Sequence, residues 1–388
     1  MSLTKNEELL FKALYATEAG ILIAQILGME VLISPLFYLT FLMVPMLYIS
    51  VLKRKFIMQD VLCLCIILIA FFNVTLNSLL TDGPYSFAYL KKLIVFSMTI
   101  LFFQTSTKIT VSENLKNYLV SVVYVVCVLF ICMYLIDTSQ MYYFQGQKTR
   151  YLTFRFSNPN ITALFLTCFD LLLIIEFTKE KKVILKWAKG LMASIFFVFI
   201  LETQSRNALI VVSIFVMVLF LVLKRKKQFN LNMILSLLFS AWPLLFSALY
   251  MLLVYNDKIL TLFSFMVEKG KQLDSRAKMW EKAFERVRTS PIIGAYNQAS
   301  KGTGQYQFHN THLDIMAYYG IIVLILVIIF LFRIIYKKKA TTENKEKFFF
   351  VLAFCFTIAM GMGEAAVFSG GLGIYIFSGM FLYLANDG

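Results

Sequence analysis

Apolar runs of about 18–22 residues recur along the whole chain, the length a helix needs to cross the hydrocarbon of a bilayer. In lipid every backbone polar group must find its partner inside the protein, so segments this long and this apolar span as helices. The short alternating segments of a membrane barrel are not in the pattern. Composition agrees. Of 388 residues, 60% are hydrophobic and 15% charged, with a mean hydropathy of +0.75.

The expectation is therefore an all-α, polytopic integral membrane protein with about twelve transmembrane helices and one large extracytoplasmic loop containing an amphipathic helix. The spans fall, to within a few residues, at about 11–28, 31–51, 57–79, 87–105, 118–137, 160–178, 186–203, 207–223, 231–254, 313–335, 347–366 and 370–385. Residues 1–255 then hold membrane helices one to nine, 256–312 the loop, and 313–388 helices ten to twelve. Residues 1–10 are polar and mixed in charge, which fits a first span acting as signal anchor without a cleavable signal.

A net charge of +15 raises the question of nucleic acid, and its distribution answers it. Basic knots follow hydrophobic spans at Lys53-Arg54-Lys55, Lys181-Lys182, Lys224-Arg225-Lys226-Lys227 and Lys337-Lys338-Lys339. Counting spans onward from the first knot puts all of them on one side, as the positive-inside rule requires of cytoplasmic loops. The charge is topological, and nucleic acid is not an expected partner. Both termini fall in the cytoplasm and the 256–312 loop outside. The six cysteines all lie in apolar spans and read as small apolar fillers.

This orientation makes Arg150, Arg155, Arg206, Arg276, Arg286 and Arg288 informative, because all sit on the outer side against the topological preference. Each is either an interfacial residue snorkelling towards headgroups or part of a site. Arg155 leads into Asn158-Pro159-Asn160, where Asn158 suits an N-cap and Pro159 a first helical residue. The same outward-facing helix start, with free N–H groups, suits a phosphate. Arg206 lies in the very short turn Thr203–Asn207, near where a lipid-linked diphosphate would lie, and a guanidinium fork matches phosphate oxygens.

Within the loop, residues 275–288 carry a helical stripe of Trp280, Ala283, Phe284 and Val287, with Lys278, Glu281, Lys282, Glu285 and Arg288 opposite. Asp274 or Ser275 would cap its start, and Pro291 with Gly294 would end it. Arg276 falls on the apolar side, where it needs an anionic partner, either a protein carboxylate or a substrate phosphate. The loop closes on the only two histidines, His309 and His312. His309 sits at the mouth of a membrane helix beside Asn310 and Asp314. Three residues apart, the pair would share a helical face and offer two metal ligands, too few to define a site. Asp170 and Glu364, ionisable within apolar spans, are either functional or helix-pairing groups.

Arg155–Asn160, Ser205-Arg206, Ser275-Arg276, Trp280, Pro291-x-x-Gly294, His309-Asn310-x-x-Leu313 and Gly320 stand in an order that resembles the O-antigen ligase/polymerase family, which includes Wzy-type repeat-unit polymerases. The chain departs from the family pattern at Ala295-Tyr296, where a Gly-x-Gly is common, and at His312, where an aromatic is common. The resemblance implies metal-independent, inverting glycosyl transfer from a polyprenyl-diphosphate-linked oligosaccharide, without cofactor, in the bacterial cytoplasmic membrane. It implies His309, Arg206 and Arg276 as catalytic residues, the arginines neutralising the departing diphosphate and His309 taking the acceptor proton. Arg155, Asn158, Asn160, Trp280, Asn310 and His312 would contact substrate. The resemblance does not choose between His309 and His312 as base. The product would be a capsular or surface polysaccharide built of repeat units, and the partners the bilayer and other polysaccharide-assembly proteins. A ligase that passes finished glycan to another acceptor is the nearest alternative. A transporter or flippase of the same lipid-linked glycan is the alternative of another class.

Overall fold

The computed structural model describes residues 2–80, 87–110, 112–137, 141–143, 150–156, 158–224, 229–254, 270–295, 308–363, 368 and 373–386. In chain order the helices are α1 (Lys5–Leu27), α2 (Glu30–Arg54), α3 (Met58–Leu80), α4 (Phe87–Lys108) and α5 (Glu113–Ile136), then α6 (Pro159–Lys179), α7 (Val183–Glu202), α8 (Arg206–Lys224) and α9 (Met233–Val254). The loop helix α10 (Gly270–Thr289) follows, then α11 (Thr311–Tyr319), α12 (Ile321–Lys337), α13 (Lys345–Ala359), a 3-10 turn (Met360–Met362) and α14 (Ile374–Leu384). One small hairpin, β1 (Met141–Tyr143) with β2 (Arg150–Leu152), joins α5 to α6 in antiparallel register, Tyr142 opposite Tyr151.

Local chemistry sets several boundaries. Thr4 and Glu7 cap α1 reciprocally, the Thr4 N–H donating to the Glu7 carboxylate at 2.7 Å and the Glu7 N–H to the Thr4 hydroxyl at 3.3 Å. Gly28, at φ 74°, ends the same helix in the left-handed region that glycine tolerates. Asn158 caps α6 by accepting the Asn160 N–H at 2.8 Å, with Pro159 in the first turn as the sequence predicts.

Among the described residues, eight helices are long and apolar enough to cross a membrane: α1, α2, α3, α5, α6, α7, α8 and α9. The expected count of twelve continuous spans is thus not reproduced. The span expected at 313–335 is two helices, broken at Gly320. The span expected at 347–366 leaves α-helical geometry after Ala359, and the described residues of the one at 370–385 supply the eleven-residue α14. Burial gives the reason these short elements suffice. α11 and α14 are buried along their whole length, and α13 along nearly all of it, so neighbouring protein rather than lipid surrounds them. The long helices carry exposed Val31, Ile184 and Trp187 outward, as a lipid-facing surface requires.

The described parts of the basic knots gather at one end of the bundle. Arg54 pairs with Glu7, Lys179 with Glu346 at 2.8 Å, and Asn230 bridges to Thr341. Asn386, past α14, donates to the Ser106 carbonyl at 3.0 Å.

Candidate functional site

At the other end, the turn after α10 meets the break between α11 and α12. Ile321 N–H donates to the Pro291 carbonyl at 2.9 Å and Ala295 N–H to the Ala317 carbonyl at 2.8 Å. Gly294 (φ 74°) and Gly320 (φ 89°) sit in this contact. A Cβ on Gly320 would overlap the Ile292 carbonyl, and one on Gly294 would come 2.6 Å from the Tyr318 carbonyl oxygen. From α3, the Asn73 side-chain amide donates to the carbonyls of Ile292 (3.1 Å) and Tyr319 (2.7 Å), and Asn77 to that of Gly294 (2.6 Å). Two helix ends that would otherwise hold orphan carbonyls are thereby satisfied inside the protein.

The segment Phe308–Asn310 enters the bundle instead of stopping at a helix mouth. Asn310, fully buried, caps α11 by accepting the N–H groups of His312 (3.0 Å) and Leu313 (3.1 Å). Its amide donates to the carbonyl of Pro243, in the middle of α9, at 2.7 Å. Irregular backbone at that depth is tolerated only when protein groups satisfy it. Pro243 helps supply them: a proline inside a helix removes one N–H and loosens the preceding turn. His312 uses that loosened turn, its Nε2 lying 2.8 Å from the Ser240 carbonyl. A carbonyl only accepts, so Nε2 carries the proton and Nδ1 the lone pair. His312 has no exposed surface, and its Nδ1 meets no donor among the described residues.

His309 differs in every respect. It is half-buried, lies outside α11, and has a left-handed φ of 51°. The two histidines therefore do not share a helical face, because α11 begins only at Thr311. Both neighbours of His309 are pinned. Phe308 N–H donates to Asp314 Oδ1 at 2.7 Å, and the Phe308 carbonyl accepts from Trp280 Nε1 at 2.8 Å. Asn310 holds the other side through its cap.

Of the stripe expected on α10, Trp280 and Ala283 are buried and Phe284 and Val287 half-buried, while Lys278, Glu281, Lys282, Glu285 and Arg288 are exposed. It starts earlier than expected, at Gly270, so Asp274 and Ser275 fall inside the helix and do not cap it. Trp280 is fully buried, edge-on to Tyr250 (5.1 Å) and Phe246 (6.3 Å) of α9. It docks the loop helix on α9 and fixes the carbonyl before His309; the contacts described for it are with protein. Arg286 lies 5.0 Å over the Phe308 ring.

Arg276 is half-buried, with one guanidinium nitrogen 3.3 Å from where a Gly363 Cβ would stand. The Asn207 side-chain amide occupies the same spot so closely that a Cβ there would overlap it. Met362, in the same turn, offers its carbonyl to Asn310 at 3.5 Å, and Gly361 sits against Thr311 and Pro243. The turn Met360–Gly363 thus gathers the first turn of α8 (Arg206 and Asn207), Arg276 and the Asn310 cap. Arg206 itself is exposed at the start of α8. Among the described residues no carboxylate pairs with Arg206 or Arg276. Glu364, the next residue along, lies outside the described residues.

Other predicted residues lie elsewhere. Arg155 pairs with Asp137 at 2.7 Å and donates to the Leu27 carbonyl at 3.0 Å, clamping the α1–α2 turn to the end of α5. Asn158 and Asn160 form the α6 cap. Asp170 is fully buried in α6, with neither carboxylate oxygen hydrogen-bonded among the described residues. Sequence reasoning missed Gly361, Gly363, Asn207, Pro243, Asn73 and Asn77. The Gly-Met-Gly spacing before Glu364 and a proline inside an apolar span were the available signals.

A predominantly helical, multi-pass membrane protein with an inserted histidine turn beside one that Arg276 approaches is the class these features define. Residues 191–328, a little over a third of the chain, match the family model described as O-antigen ligase, the family that the residue order resembles. The match runs from α7 into α12. It contains Arg206, Arg276, Trp280, His309, Asn310 and His312 and leaves Arg155, Asn158, Asn160 and Gly363 outside. No curated protein matches the chain.

Proposed function

We propose that the protein is a glycosyltransferase of the bacterial cytoplasmic membrane that polymerises polyprenyl-diphosphate-linked repeat units on the outer face of that membrane. The observation that carries this reading is the meeting of Arg276, of Asn207 next to Arg206 and of the Asn310 cap next to His309 around Met360–Gly363. The acceptor hydroxyl oxygen attacks the anomeric carbon of the donor. The bond from that carbon to the phosphate oxygen breaks, and the diphosphate leaves with the electron pair. Arg206 and Arg276 neutralise the leaving charge, and His309 receives the hydroxyl proton. His309 suits this better than His312, whose exposed surface is nil and whose Nε2 already donates to α9.

Single replacement of Arg206, Arg276 or His309 by Ala should lower polymer formation by about 10²–10³-fold, the usual range for losing one transition-state charge partner or base. Normal polymer length and yield from all three inserted variants would sink the proposal. A second reading, transfer of finished glycan to another acceptor, is favoured by the matched family's description as a ligase. The glycan profile of a deletion strain separates the two. Single repeat units accumulate without a polymerase, and long unattached chains without a ligase.

A further inference from the structure

At the end of the bundle where the basic knots gather, a cavity of about 360 Å³ is lined by Lys55, Lys108, Lys337, Lys338 and Lys347, with Asn386 beside them. It stands far from the histidine turn. α4 runs from Lys92, whose ammonium lies 3.3 Å from the Tyr318 hydroxyl of α11, to Lys108 in the cavity, roughly 24 Å along the axis. Lysines that only mark topology stand in solvent. Here the Lys108 side chain is 2% exposed and pairs with the buried Asp60 at 2.6 Å, and Lys338 is 7% exposed. Lys108 also donates to the Lys55 carbonyl at 2.8 Å, and Lys338 to the Leu382 carbonyl and the Asn386 side chain. Lys337 is held by the Gln59 side chain at 3.0 Å. Five separate segments therefore converge: the α2–α3 turn, the ends of α4 and α12, the start of α13 and the residues after α14. Among the described residues, none that lines the cavity is acidic. The volume falls at the lower end of small-ligand sites.

We infer that this cavity is a binding site for a phosphate-bearing polyanion, a diphosphate or an acidic phospholipid headgroup, separate from the glycosyl-transfer site. Ammonium groups presented on packed helix ends meet a compact, multiply charged anion without the ordering cost of free side chains. Basic pockets between membrane helices are a recurrent way to hold such headgroups. The two sources share one chemistry and separate by experiment.

The full-length protein is reconstituted in nanodiscs of phosphatidylcholine with or without cardiolipin, and its thermal unfolding is followed during titration with inorganic pyrophosphate. Saturable stabilisation by pyrophosphate in phosphatidylcholine alone identifies a soluble ligand; stabilisation only when cardiolipin is present identifies the lipid. In either case the double variant Lys337→Gln, Lys347→Gln, which spares the buried lysines, should weaken binding about 25-fold, roughly fivefold for each lysine lost. A control pair outside the cavity, Lys53→Gln with Lys224→Gln, should leave binding unchanged. The inference is overturned if neither probe stabilises the protein, if the cavity pair leaves binding unchanged, as it would for pyrophosphate held at Arg206 and Arg276, or if the control pair weakens binding as much as the cavity pair.

Discussion

His309 occupies backbone space that costs a residue with a Cβ about 1–2 kcal/mol. The conformation is fixed by its neighbours in the chain. It is imposed by Trp280 and Asp314 gripping Phe308 on one side and by the Asn310 cap on the other. Strain over-determined from both sides and centred on an imidazole is what a positioned base requires. His312, three residues on, has the opposite character, being buried and spent on a helix carbonyl. The two variants should therefore separate. His309→Ala should keep its unfolding temperature and lose polymer formation. His312→Ala should lose stability, by about 1–3 kcal/mol for the unsatisfied Ser240 carbonyl, and retain activity in proportion to the protein that stays folded. Thermal unfolding of both variants in nanodiscs, beside polymer yield, checks this. Equal loss of stability in both would remove the distinction drawn between the histidines.

Between elements, two glycines govern how the loop and the last helices meet, and they do so differently. Gly320 combines a positive φ with direct approach to the Ile292 backbone, which cannot move aside. Gly320→Ala should cost several kcal/mol, about 1–3 from a backbone conformation that essentially only glycine adopts and more from the overlap, so little folded protein should accumulate. Gly363 has no such φ, and what its Cβ would meet is the end of the Asn207 side chain, which can swing away. Gly363→Ala should therefore insert and fold normally yet lose activity, because Asn207 and Arg276 share that space. Membrane yield and polymer assay together read the contrast, and a folded, active Gly320→Ala protein would contradict it. These elements also mark where sequence reading stops. The Asn158 cap and the α10 stripe were legible because each depends on residues within a turn or two. The break at Gly320 depends on a carbonyl twenty-eight residues earlier in the chain, and the Gly363 contact on Asn207, so apolar periodicity ran straight through both. The sequence marks the histidine turn as a candidate site but not its depth, since Pro243 in another span shows where Asn310 docks.

Over the whole molecule, one charge pattern carries two kinds of information. Counted along the chain, the basic knots give a sidedness; folded, their lysines become the walls of a cavity that spacing alone could not reveal, because its five segments come from different parts of the chain. The same pattern gives the bundle two unlike ends, a lysine-lined one and one holding Arg276 and His309. A membrane protein keeps a single orientation only if charge translocation is unfavourable at one end, so the end rich in short basic loops is expected in the cytoplasm. This can be read with cysteines placed at exposed positions of each end, Lys278→Cys on α10 and Glu343→Cys before α13, in a chain whose native cysteines, two of them exposed, are replaced by alanine. A membrane-impermeant maleimide should label Lys278→Cys in intact cells and Glu343→Cys only after permeabilisation. The reverse pattern would place the histidine turn on the cytoplasmic side. There no lipid-linked donor presented at the outer face could reach it, and the proposed reaction would fail with the topology.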